Sequence, residues 1–179
     1  DDAPAVLGEQ LAVDARVLSS LRAARIEGAS RLRGPRPMLI APELVSTLVA
    51  DARAALYAAM VVSYAQGMSM LRQASDKYGW GLDLVEIARI WKGGCIIRAR
   101  FLDAMMNAYA TNPGLTNLVL DPDIRAQVAA TEPAWRRLVG LAIAHGIPVP
   151  AMSASLAWYD SFRTAELPQN LTQAQRDAF

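Results

Sequence analysis

AALYAAMVVSYAQGMSML, residues Ala54–Leu71, is the stretch whose reading decides the fold. None of its 18 residues is charged, and Arg53 and Arg72 bound it. Alanine recurs along it and no long strand-like alternation runs through it, so it reads as helix. Its length sits at the lower edge of a membrane span. Ser63, Tyr64, Gln66, Gly67 and Ser69 interrupt it with polar and small residues. That composition suits a helix enclosed by other helices, which needs no charged face. No membrane span is expected.

Outward from this core, Glu43 to about Tyr78 reads as one long helix. Leu44, Leu48, Ala52, Leu56 and Ala59 form its stripe, and Gly79 is its C-cap. Residues 5–32 read as a helix on the spacing of Leu7, Leu11, Val13, Val17, Leu18 and Leu21. The stretch RGPRPMLIAP, residues 33–42, holds three prolines and breaks it. Asp83 is the expected N-cap of a helix that starts at Leu84, meets Gly93-Gly94 and resumes to about Tyr109. TNPG ends that helix, and Leu115–Leu120 has room for one turn. Asp121-Pro122-Asp123 starts another helix, which Pro133 is expected to restart before it reaches His145. Gly146–Pro150 is a rigid turn, and Met152 to about Thr164 is the last long helix. The expected class is all-α: five to six helices packed around a long central helix, with an extended C-terminal tail. Residues 1–165 form the helical domain and 166–179 the tail.

Composition narrows the function. Hydrophobic residues make up 53% of 179, and formal net charge is +1. The basic residues are spread along the chain, so no field of the kind that binds nucleic acid arises. One cysteine and one histidine exclude an internal disulfide and the common zinc sites, and no metal is expected. A reducing cytoplasm is the matching compartment. The chain starts Asp1-Asp2 without a basic leader and stops at Phe179, and a fragment of a longer protein is expected.

The stretch WKGGCIIR carries the local motifs. Gly93-Gly94 reads as a close helix approach or a kink. The alternative is a phosphate cradle, but Cys95 stands where a Walker loop needs Lys-Ser/Thr, and no GxGxxG is present. Cys95 reads as a structural cysteine, with a Cys–His pair to His145 as the alternative. His145 suits the last turn of a helix, where a cation meets the dipole. Met60, Met68, Met70, Met105 and Met106 read as core filler. Arg136, Arg137 and Glu132 read as a solvated face.

Seven blocks, taken together, resemble one family. They are ARVLSSLRAAR (15–25), ALYAAMVVSYAQGMSMLRQAS (55–75), YGW-x-L (78–82), IARIWKGGCIIRARFL (87–102), NPGLTNLVLD (112–121), GIPVPAMSASLAWYDSFR (146–163) and LPQNLTQAQRDAF (167–179). In order and over nearly the whole chain, they resemble the C-terminal helical domain of decarboxylating 6-phosphogluconate dehydrogenase.

The resemblance implies oxidation of 6-phosphogluconate with NADP to ribulose 5-phosphate and carbon dioxide, in a homodimer whose tail reaches into the partner subunit. It implies that Arg16, in the ARVLSS block, and Arg176, in QAQRD, bind the substrate phosphate. It also implies a Rossmann domain, a general-base lysine, a proton-donating glutamate and a terminal histidine that these 179 residues do not contain. Asp14 stands where the family usually has an aromatic residue. The chain alone is therefore expected to be inactive, with no catalytic residue, supplying a dimer interface and phosphate-binding arginines. The rival expectation is a non-catalytic oligomerisation module derived from the same family. A further rival, from the residues alone, is an all-α ligand-binding domain.

Overall fold

The computed structural model describes residues 7–35, 40–94 and 100–178, with side chains from residue 13 onward. Among them are eight α-helices, one 3-10 turn and no strand. The helices are α1 (Leu7–Ser20), α2 (Arg22–Arg31), α3 (Pro42–Tyr78), α4 (Leu84–Gly94), α5 (Phe101–Thr111), α6 (Pro122–Ala144), α7 (Pro150–Phe162) and α8 (Asn170–Ala178). The 3-10 turn is Leu118–Leu120. The all-α class and the long central helix are as the sequence reading has them.

Helix α3 is the spine. Pro42 opens it at a position where a missing N–H costs nothing. Gly79 closes it at φ +67°, where only glycine rests without strain. The N–H groups of Gly79 and Trp80 both return to the Ser75 carbonyl. The buried face of α3 is made of Ala55, Ala58, Ala59, Val62 and Ala65, with Met68 further on. Small side chains there let α6 and α7 lie close against it. Of the predicted stripe, Ala59 lies on this face and Leu48 and Ala52 are half-buried, while Leu44 is 58% exposed and Leu56 63%. Helices α4 and α5 pair with each other and reach α3 through rings. Tyr64 stands 6.3 Å from Trp91 and 5.7 Å from Phe101. Trp135 of α6 is fully buried and donates its Nε1–H to the Met152 carbonyl at 3.2 Å.

Caps follow the sequence. The Asp83 Oδ1 accepts from the N–H groups of Val85 and Glu86, and the Asp121 Oδ1 accepts from those of Asp123 and Ile124. Elsewhere the breaks move. The expected helix over 5–32 is two helices, parted at Leu21 (ψ 54°) after Ser19-Ser20. The Ser20 hydroxyl bonds back to the Val17 carbonyl at 2.7 Å, the local competition that makes serine a poor helix interior residue. Pro133 restarts nothing, because α6 runs through it. Its ring faces solvent while Ala134 and Trp135 beside it are buried and hold the axis. Residues 170–178 of the tail coil into α8 rather than running extended, yet none of them is buried.

Arg136, Arg137 and Glu132 are more than a solvated face. Arg136 donates to Glu132 at 2.6 Å and, across to α7, to Asp160 at 3.0 Å. Arg163 joins the same two carboxylates at 3.6 and 3.1 Å. Arg137 grips Asp51 of α3 through two N–H groups at 2.9 and 2.6 Å.

Candidate functional site

Arg16 lies on α1, a helix laid along α7. Its guanidinium is exposed and makes no hydrogen bond or ion pair with the described residues. Arg176 lies in the last turn of α8, also exposed and without a carboxylate partner among the described residues. Both are always charged and present five donors in a planar fork that matches phosphate oxygens. No hydrogen bond or ion pair joins the two arginines within one chain.

The Gly93-Gly94 pair does not act as expected among the described residues. A Cβ added at either would meet no described atom within 4 Å, and both residues are exposed at the end of α4. Among the described residues no helix comes close to either, and α4 ends at Gly94. Cys95 lies outside the described residues, and with it the Cys–His reading. His145 caps α6, its N–H bonded to the Leu141 carbonyl at 3.1 Å, as the dipole argument places it. Met68 and Met105 are fully buried, while Met60, Met70 and Met106 are partly so.

Two concave features stand apart from the arginines. One is an apolar groove of about 510 Å³ between the start of α3 and the end of α6, walled by Leu48, Ala52, Leu138, Leu141 and Ile147. The other is a cleft of about 330 Å³ where α3 ends, α4 begins and α5 ends, lined by Arg72, Ser75, Asp76, Asp83 and Tyr109. Neither was legible as a site. Arg72 closes the uncharged run and Tyr109 precedes TNPG, but no motif links them. Among the described residues no three His, Cys, Asp or Glu side chains stand together as a metal would need.

The C-terminal domain of 6-phosphogluconate dehydrogenase matches residues 5–179. The chain belongs to this family. It is 49% identical over 168 residues to the decarboxylating 6-phosphogluconate dehydrogenase of Synechococcus elongatus, covering 94% of this chain and 36% of that protein. It is 58% identical over 132 residues to the chloroplastic decarboxylating 6-phosphogluconate dehydrogenase 3 of Arabidopsis thaliana, covering 74% of this chain and 27% of that protein. The solved Plasmodium falciparum 6-phosphogluconate dehydrogenase superposes with a TM-score of 0.86 at 41% identity, over 93% of this chain and 36% of that one. That enzyme is described apo, with its cofactor NADP+ and with its substrate 6-phosphogluconate. The chain thus spans about a third of the length of its relatives.

Proposed function

We propose that this chain is the helical part of an NADP-dependent, decarboxylating 6-phosphogluconate dehydrogenase of the pentose phosphate pathway, working in the cytoplasm as a homodimer. The observation that carries the reading is the family match over residues 5–179, with 49% identity to an enzyme of that activity. The domain walls the sugar-phosphate pocket and offers Arg16 and Arg176 to the substrate phosphate. Helix α3 is read as a core helix rather than a membrane span, because α4, α5, α6 and α7 pack round its central turns.

The described residues carry no dinucleotide-binding motif. No GxGxxG precedes a helix, and the Gly93-Gly94 pair ends a helix instead of opening one. NADP is assigned to the rest of the enzyme. What this domain contributes is binding and orientation. A phosphate held between two guanidinium groups fixes the far end of a linear sugar acid, which sets where its reacting carbon falls.

The test uses the full-length protein. NADP reduction dependent on 6-phosphogluconate is expected, with none from residues 1–179 alone. Arg16→Ala and Arg176→Ala should each weaken substrate binding about 10- to 150-fold, the loss of one charge-assisted hydrogen-bond set. The turnover number should fall less than KM rises if that binding is uniform. Mixing the two variants with subunit exchange should restore activity toward half, since both lesions then fall on one site of the mixed dimer. No recovery despite proven exchange would mean that the two arginines do not serve one phosphate from two chains.

A further inference from the structure

The cleft at the end of α3 contains an arginine that no described carboxylate neutralises. The Arg72 Nη1 donates to the Pro113 carbonyl at 2.9 Å, and its guanidinium carbon stands 5.5 Å from the Tyr109 ring centre. Its Nε is buried without an acceptor. Tyr109 is only 2% exposed and lines the same cleft. Buried polar groups are nearly always paired, so the orphaned Arg72 Nε in this cleft calls for an explanation. Burial also pushes the Tyr109 hydroxyl up to about 12, which keeps it a neutral donor. The Ser75 Oγ accepts from the Leu82 N–H at 2.9 Å and retains its own hydrogen to donate. The same cleft is lined by Asp76 and Asp83. Among the described residues Asp76 pairs with no cation, and Asp83 caps α4 through Oδ1 alone.

Donors and carboxylates therefore line one small cavity. A phosphate dianion would meet the arginine but also two aspartates, a like-charge arrangement that disfavours it. A simple cation would meet the aspartates but also Arg72. A molecule with a carboxylate and an ammonium a few ångströms apart satisfies both sets. We propose that this cleft binds a small zwitterion of the α-amino-acid class, its carboxylate on Arg72 and Tyr109 and its ammonium on Asp76 and Asp83. Its volume of about 330 Å³ suits so small a ligand. The proposal does not rest on the dehydrogenase reading, since it uses neither Arg16 nor Arg176.

The experiment is a backbone amide NMR titration of the 179-residue chain with L-alanine, taken to about 50 mM, ample for a millimolar Kd. Acetate, methylammonium and inorganic phosphate are the matched probes. Saturable shifts are expected at residues 75–85 and 109–114 with L-alanine, and at least about tenfold weaker binding of each single-charge probe and of phosphate. Tyr109→Phe, which keeps the ring packing, should weaken L-alanine about 2- to 10-fold. Asp76→Asn, an exposed change that leaves the fold intact, should bring L-alanine toward the affinity of acetate. Three results overturn the proposal: no saturable L-alanine shifts at these residues, acetate or phosphate binding as tightly as L-alanine, or both variants binding L-alanine like the wild type.

Discussion

Gly146 sits at φ +65°, and a Cβ built there would lie 3.0 Å from the Pro35 Cδ. Backbone strain and a close neighbour act together, and the neighbour is a stiff ring that cannot swing aside. Gly146→Ala is expected to destabilise by about 2–3 kcal/mol, the left-handed penalty plus a clash. Gly79 shares the backbone conformation at φ +67° but has open space around it, so Gly79→Ala should cost only about 1–2 kcal/mol. Gly93 is different again. It is helical, exposed and uncrowded by described atoms, so Gly93→Ala should stabilise the chain by up to about 1 kcal/mol. Urea unfolding of the three variants gives the order. A destabilised Gly93→Ala in the full-length enzyme, beside a stabilised one in the lone chain, would show that another part of the assembly presses on that turn. The sequence marks Gly79 as a cap and Gly146 as a turn, but the cost of a side chain at each follows only from its φ and the space around it.

At the scale of elements, side-chain ties fix α6 to its neighbours. Asp160 on α7 takes hydrogen bonds from Arg136 and contacts Arg163, and these hold its carboxyl below the usual aspartate range. Hydrogen bonding to Arg137 does the same for Asp51 on α3. A carboxyl with a depressed folded value contributes stability above its unfolded value, about 3.9, and loses it as pH falls through the folded value. Asp160→Asn should therefore destabilise at pH 7 and converge on the wild type below the folded value, in strong acid. The Asp160 side chain is 38% exposed, so solvent screens the pair and about 1 kcal/mol is the expected size at neutral pH. Thermal unfolding against pH checks it, and an unchanged gap at low pH would remove the ion pair as the cause. These ties also mark where sequence stops being legible. The spine α3, the caps at Asp83 and Asp121 and the stop at Gly79 were readable, because caps and breakers act within a few residues. The ties of Arg136 and Arg137 were not, since their partners Asp160 and Asp51 lie 24 and 86 positions away. Pro133 misled for a related reason: burial of Trp135 overrides the local cost of a proline inside a helix. Arg16 and Arg176 were picked out by family resemblance, and no local pattern alone would have chosen them over the other arginines.

The whole molecule exposes 12343 Å² of surface at 19.3 kDa, whereas a compact monomer of that mass exposes about 8,500 Å². Part of that surface is an apolar face on two helices. Leu44, Val45, Val49 and Leu56 of α3 are each roughly half exposed or more, as are Val17 and Leu18 of α1. Only 28% of the most apolar 18-residue window of α3 is buried. Apolar surface of this extent is covered in a working protein, by the remainder of a longer chain or by a second subunit. Val49→Glu combined with Leu56→Glu separates these. Both positions are exposed within the chain, so the double change should leave its unfolding midpoint nearly unaltered. In sedimentation at micromolar concentration, residues 1–179 should form a discrete, reversible species larger than 19.3 kDa, and the double variant should return to monomer. Introduced carboxylates at an apolar interface leave buried charges without partners, so a shift of at least about tenfold in the association constant is expected. A wild-type chain that stays monomeric would assign this face to the rest of the polypeptide instead. The full-length double variant would then keep its oligomeric state and lose stability, because the charges would fall between two parts of one chain.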